Sequence, residues 1–402
     1  MEIALYGQSN DRDFRTRVWS PMGESAPPGA GVEVLSLNRT ELETRGVRLE
    51  AGKLLGRDLL LTYGIELHRD RSTGSDTSTV TVLGLGPPSV RRSGVSRVPD
   101  ARLWSLGVFA QTRLAVASRT ELVLGGRYQD VTARVLKVEE EGVPDEAGDR
   151  TVVGAASVLH RPHPRVAVVA SASRGFRSPN LVERFFTGPT PEGSGVWIRN
   201  PDLGAETSLN TDLGLRLRLP RITGELFLFR NALADGVRLE ATGDSIGGLP
   251  AYRNVNVSRL RIRGLEAYMD VDLGRGLAAA GGFTALRCRN PEDPEDAVSE
   301  ACGDRANGSV RWTPSGAPVW AEYAIRWSGE RGDALPEASP VGPRIPSFLV
   351  QDLRAGLRVA GGYRITLALR NLGDVLYAES TNAGFFRPEP GRSLVVGVSA
   401  SF

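Results

Sequence analysis

The sequence predicts an all-β chain, a transmembrane antiparallel up-and-down β-barrel of the outer-membrane type. Three observations lead there. Apolar and polar residues alternate with period two in segment after segment, which puts them on opposite faces of a strand. The segments are long, roughly 9 to 17 residues against a usual strand length near 5 to 6. The connections alternate between short and long, as in a barrel with tight turns at one end and loops at the other.

The first clear segment is DLLLTYGIELHRD, in which Leu59, Leu61, Tyr63, Ile65 and Leu67 share a face against Thr62, Gly64, Glu66 and His68. In ETSLNTDLGLRLRLP, Leu209, Thr211, Leu213, Leu215, Leu217 and Leu219 oppose Asn210, Asp212, Gly214, Arg216 and Arg218. Leu353, Ala355, Leu357 and Val359 oppose Asp352, Arg354, Gly356 and Arg358. In the closing GRSLVVGVSASF, Leu394, Val396, Val398, Ala400 and Phe402 oppose Ser393, Val395, Gly397, Ser399 and Ser401. About 16 such segments can be counted, and their charged faces suit a wet lumen while their apolar faces suit lipid.

Short connections are expected at 117–119, 161–165, 220–221, 274–276, 314–318 and 360–362. Long ones are expected at roughly 10–40, 69–101, 136–150, 175–205, 241–250, 289–303, 329–345 and 378–391. With the short turns periplasmic and the long loops extracellular, the last strand runs downward and sets Phe402 at the periplasmic interface, where aromatic girdles lie.

Composition narrows the classes. A length of 402 residues allows two soluble domains or one large barrel. The formal net charge of +2 gives no electrostatic case for nucleic acid as a partner. Lys53 and Lys137 are the only lysines, so arginine carries nearly all the positive charge, and a GC-rich coding bias accounts for this simply. No apolar run of roughly 18 residues offers a transmembrane helix. EIALYGQSNDRDFRTR has no basic start, apolar run or cleavage site, so a chain without a signal peptide is expected.

Loops carry the candidate chemistry. The stretch from Arg174 to Arg199 combines Phe176, Phe185, Phe186 and Trp197 with Arg174, Arg177, Arg184 and Arg199. Guanidinium groups beside aromatic faces can hold a planar or anionic ligand by stacking and bidentate hydrogen bonds. They can equally pack a loop onto a rim. Phe385, Phe386 and Arg387 repeat the combination in the last long loop. Cys288 and Cys302 flank the acidic NPEDPEDAVSEA stretch, and a disulfide across an extracellular loop is expected. His160 and His163 lie in RPHPR, read as a solvated turn and not a metal site. EDPED lacks the spaced oxygen ligands of a calcium loop. No metal site and no cofactor are expected. Catalysis has no support either, for there is no G-x-S-x-G, H-E-x-x-H or phosphate-cradling glycine loop.

Several of these stretches resemble one family. FRSPNLVERFF, followed by NPDLGAETSLNTDLGL, resembles the paired loop motifs of the TonB-dependent outer-membrane receptors. NVNVSRLRIRGLEAYMDVDL, NLGDVLYAES, GVFAQTRL, GGRYQDV and PGRSLVVGVSASF are similar to further motifs of that family, in the family's order. The resemblance covers about residues 57 to 402. It implies a Gram-negative outer-membrane location, a parent barrel of 22 strands, and partners that are membrane lipid, TonB and a small-molecule or metal-chelate ligand. It also implies that the barrel-assembly machinery reads Phe402. Haem receptors of the family carry a histidine between the paired motifs, and residues 180–199 have none, so haem is disfavoured. The family's plug domain and TonB box have no counterpart, so residues 1–402 are expected to be the C-terminal part of a receptor barrel. Three function classes result: a receptor for a ferric siderophore or similar scarce complex, a passive 16-stranded porin, and a surface barrel enzyme.

Overall fold

A computed structural model describes residues 1–21, 27–94, 100–136, 146–189, 195–246, 248–291, 302–331, 345–359, 361–379 and 388–400. The first half contains β1 (Glu2–Pro21), β2 (Gly31–Leu55), β3 (Leu59–Leu83), β4 (Ser89–Gly94), β5 (Ala101–Ala117), β6 (Thr120–Val135), β7 (Glu146–His163) and β8 (Val166–Arg177). A single helical turn, α1 (Leu181–Phe185), and two short strands, β9 (Gly188–Pro189) and β10 (Val196–Ile198), follow. The second half holds β11 (Glu206–Arg218), β12 (Ile222–Ile246), β13 (Leu249–Gly274), β14 (Leu277–Arg289), β15 (Arg305–Trp312), β16 (Val319–Ser328), β17 (Phe348–Val359), β18 (Tyr363–Arg370) and β19 (Ser393–Ala400).

β4, β9 and β10 lie in connections. The other 16 strands pair in chain order, each antiparallel to the next, with β8 passing directly to β11. This up-and-down wall bears out the expected fold. Among the described residues β1 pairs only with β2 and β19 only with β18, so the sheet is an open wall.

Register carries the alternation from strand to strand. Leu49, Ile65, Val108, Tyr128 and Val152 are successive partners on one face. Arg48, Glu66, Gly107 and Gln129 are successive partners on the other. The apolar face is exposed, with Leu213 at 52% and Val396 at 59% accessible, an arrangement stable only if lipid covers it. The inner face balances its charges: Arg127 meets Glu66 at 3.0 Å, and Glu322 lies 3.5 Å from Arg311 and 3.4 Å from Arg354.

Five glycine–aromatic partners also share the inner face: Gly46 with Tyr6, Gly64 with Phe109, Gly214 with Phe227, Gly264 with Phe229, and Gly356 with Trp320. Each ring lies flat across its glycine, where any side chain would overlap it. Covering a bare glycine with a cross-strand ring restores the buried area the glycine lacks. Arginines then stack on several rings: Arg48 lies 5.1 Å from Phe109, Arg216 5.5 Å from Phe227 and Arg311 4.3 Å from Trp320.

The short turns fall where expected, but three of the expected loops are mainly strand. Pairing continues from Glu2 opposite Glu50 to Pro21 opposite Gly31, and from Leu55 opposite Leu59 to Leu83 opposite Gly31. Likewise β12 and β13 run together to Ile246 opposite Leu249. With 25 residues, β2 is roughly 80 Å long at about 3.3 Å per residue, against the 9 to 11 residues a membrane-crossing strand needs. The excess extends beyond the length of a membrane-crossing strand as paired hairpins. Thr77, Thr79 and Thr81 in TSTVTVL explain why: β-branched polar residues favour strand as apolar ones do.

Candidate functional site

The stretch between β8 and β11 folds onto the inner side of the rim. Asn180 caps α1, its side-chain oxygen accepting from the N–H groups of Val182 and Glu183 at 2.9 Å, while Glu183 accepts from the Asn180 N–H at 2.8 Å. This reciprocal box fixes a helix too short to hold by itself. Leu181 and Phe185 point from it into a cluster with Ala101, Leu103, Val131, Ala133 and Val135 on the inner face of β5 and β6. Phe185 is 3% exposed and Phe176 packs at the edge of the cluster.

Arg184 sits beneath the helix, 2% exposed, and pairs with Asp149 of β7. Asp149 also accepts from the Ser178 hydroxyl at 2.5 Å. Burial pushes the Arg184 guanidinium below its ordinary pKa while Asp149 opposes that shift. Arg177 donates to both oxygens of Glu183, at 2.9 and 2.8 Å, and pairs with Glu206. Of the residues predicted to meet a ligand, Arg184 and Phe185 are thus inside, holding the stretch to the wall, and Arg177 links α1 to β11.

Phe186 and Trp197 remain half-buried at the mouth, edge to face at 5.1 Å between ring centres. Among the described residues the indole N–H of Trp197 has no hydrogen-bond partner. Arg199 is half-buried, with its backbone N–H 3.4 Å from the Thr187 hydroxyl. β10 fixes this pair in place, since Trp197 lies opposite Gly188 and, in parallel, beside Tyr252 of β13.

Asparagines complete the anchoring and were not predicted as site residues. Asn200 donates to the Asn254 carbonyl at 2.8 Å, and Asn254 donates to the Glu183 carbonyl at 2.9 Å. Asn256 accepts from the Gly204 N–H at 2.7 Å and donates to the carbonyls of Gly204 and Asp235. Their sequence signal was the run NVNV, which sets two amide side chains on one face of β13. NLGDVLYAES forms a second knot: Asn371 accepts from the Val375 N–H at 2.9 Å and donates to its carbonyl at 2.8 Å, while Asp374 accepts from the Arg392 N–H at 2.7 Å. Tyr377 receives a hydrogen bond from Arg326 at 2.9 Å and packs on Phe348, and burial raises its phenol pKa.

Phe385, Phe386, Arg387 and Phe402 lie outside the described residues, as does most of the acidic stretch after Pro291. Cys288 and Cys302 are joined, with Cα atoms 5.9 Å apart. His160 faces the Thr120 hydroxyl at 3.0 Å and His163 accepts from the Arg165 N–H at 3.2 Å.

A family model described as TonB dependent receptor-like, beta-barrel, matches residues 5–372. The chain belongs to the TonB-dependent receptor family. The match starts well before the stretch around residue 57 where the resemblance begins, and so takes in β1 and β2. The chain is 22% identical over 385 residues to the ferric enterobactin receptor of Pseudomonas aeruginosa, covering 87% of this chain and 49% of that protein. It is 23% identical over 223 residues to the vitamin B12 transporter BtuB of Vibrio vulnificus, covering 56% of this chain and 33% of that protein. The chain therefore spans half or less of the length of these curated relatives. Among solved structures, the copper transporter OprC superposes with a TM-score of 0.72 at 17% identity, over 93% of this chain and 61% of that one. The FrpB iron transporter from Neisseria meningitidis gives 0.68 at 15%, over 98% and 68%. As a member of this receptor family the chain is an outer-membrane β-barrel protein.

Proposed function

We propose that this TonB-dependent receptor chain forms the wall and mouth of a transporter for a scarce metal chelate, a ferric siderophore or similar complex. On this reading TonB energises uptake through a plug domain, the long connections face outward from the cell, and the chain is no enzyme. The observation that carries the proposal is the inward-folded stretch between β8 and β11. Leu181, Phe185 and Arg184 bind it to the rim, and the Phe186–Trp197 pair is left at the mouth. A rigid platform with an aromatic pair, an indole N–H that has no partner among the described residues, and Arg199 nearby suits a planar, anionic ligand. The names of the relatives, which include a ferric enterobactin receptor and an iron transporter, support the ligand class.

The test is equilibrium binding of a radio-iron-loaded catecholate siderophore to the chain supplied with a family plug segment. Trp197→Ala and Phe186→Ala should each weaken binding about tenfold, the loss of roughly one desolvated aromatic contact. Unchanged binding in both would remove the mouth from the account. A cysteine replacing Thr187 should react with an impermeant reagent added outside whole cells; labelling only after cell disruption would reverse the orientation.

The 16 wall strands also favour a second reading, a passive porin. Against it stands the open wall, because unpaired edge groups cost several kcal/mol each in hydrocarbon. A steady, uniform conductance from the chain alone in planar bilayers would favour the porin.

A further inference from the structure

On the lumen face Arg127 meets Glu66, and Arg311 and Arg354 share Glu322. At the short-turn end of β2 to β12 the cations outnumber the acids. Two neighbouring recesses of about 410 Å³ each lie there. Arg57, Arg113, Arg119 and Arg161 line the first with Asp58 and Glu121, and Arg161, Arg165, Arg216 and Arg218 line the second with Glu225. Both belong to the lumen side. Glu121 is linked through its partners Leu159 and Val169 to Gly214, one of the ring-covered glycines, and Arg216 follows Gly214 on the same face of β11.

Hydrogen bonds tie the successive short turns together. The Arg119 guanidinium donates to the Pro162 carbonyl at 2.7 Å, and the Arg161 N–H donates to the Arg119 carbonyl at 2.8 Å. The Arg218 N–H donates to the Arg165 carbonyl at 2.8 Å, which brings two cationic residues side by side. The glutamates are already engaged: Glu121 accepts from Arg161 at 2.6 Å and pairs with Arg113, and Glu225 lies 3.3 Å from Arg216. Arg57, Arg165 and Arg218 are exposed, and among the described residues none of the three has an acid within ion-pair distance. A cleft lined by one sign of charge raises the local concentration of the opposite ion, and arginine rings line pores that pass anions. A ligand with several anionic oxygens can accept from two guanidinium groups at once.

We propose that this end is a second binding site on the transport path, where Arg57 and Arg119 on one side of Arg161, and Arg165 and Arg218 on the other, hold an anionic metal chelate as it leaves the lumen. The site is separate from the Phe186–Trp197 mouth, which lies at the long-loop end of the wall. Exposed guanidinium groups suit a release step, because a ligand held too tightly at the exit would not leave. The cargo rests on the function proposed above, and the direction of exit on the orientation that the labelling at Thr187 tests.

The experiment watches the recess directly. Cys288 and Cys302 are joined, so Ala167→Cys, in the lining of the second recess, supplies a single thiol for a fluorine label. The full chain, folded in neutral detergent, is titrated with a trianionic gallium tris-catecholate, a neutral gallium tris-hydroxamate and inorganic phosphate. Heat-modifiable gel mobility reports that each variant is folded. The fluorine resonance should shift saturably with the catecholate complex and stay in place with the hydroxamate complex. Arg165→Gln with Arg218→Gln should weaken the catecholate titration about tenfold, the factor expected for charge-assisted hydrogen bonds to one ligand. Trp197→Ala should leave this titration unchanged while weakening radio-iron binding at the mouth, so the two sites fail separately. No shift with the catecholate complex would overturn the proposal, as would an equal response to the neutral complex, a titration weakened by Trp197→Ala, or undiminished affinity in the folded double variant. Phosphate bound as tightly as the chelate would assign the recess to any small anion, and a shift lost on adding the family plug segment would assign the arginines to the plug; either result overturns the proposal too. If the double variant does not fold, Arg165→Gln alone and the comparison of the charged with the neutral complex decide.

Discussion

Arginine does opposite things on the two sides of the rim. Inside, Arg184 is enclosed with Asp149, and Arg177 bridges Glu183 and Glu206, so each cation has an acid aimed at it. Outside, Arg71, Arg102 and Arg134 stand next to one another as cross-strand partners, with Asp100 3.6 Å from Arg71. The inner set holds the chain together. The outer set places like charges directly opposite one another across strands. What separates the two sides is therefore the immediate neighbours of each arginine, not its residue type.

Removing an inner arginine should have the largest effect. Arg184→Ala leaves the Asp149 carboxylate buried without its partner, a loss of about 3–5 kcal/mol. Hydrogen exchange should show residues 181–186 losing protection, and unchanged protection would mean that the pair does not hold the stretch. Replacing both Asn254 and Asn256 by alanine should cost about 1–3 kcal/mol, because the carbonyls of Glu183 and Gly204 lose donors. The same exchange measurement should place that loss in residues 181–204, with the wall strands unaffected.

The outer row should respond with the opposite sign. In lipid-free detergent, Arg102→Gln should raise thermal stability, by up to about 1 kcal/mol, because it removes a cation flanked by two others. A fall comparable to that of Arg184→Ala would erase the distinction between the two sides. The smallest effect belongs to a third setting. Arg216 and Glu225 face each other at 3.3 Å on the lumen wall with about half of each side chain exposed, and Arg216→Gln should change stability by less than about 1 kcal/mol. A larger loss would show that the lumen wall is drier than its exposure suggests.

The mouth illustrates how far local sequence reaches. FRSPNLVERFF signals a capped turn, and its asparagine and glutamate form the capping box that three-residue spacing permits. That spacing says nothing about Asp149, 35 residues from Arg184, so the sequence left Arg184 and Phe185 open between ligand contact and packing, and the structure buries both as anchors. The threonine-rich stretches around Thr77 read as loop because polarity suggested solvent, although their β-branching favoured strand.

Sequence alone determined the alternating faces, the short turns, the order of the family's motifs and the up-and-down path of the wall. These are properties of period and spacing, set within a few residues by side-chain direction and turn chemistry. Tertiary structure decided which arginines are paired, which rings cover which glycines, and that Arg71, Arg102 and Arg134 form one row. Those facts depend on register, which joins residues about 30 apart in the chain, and a slip of one residue would send each of them to the other face.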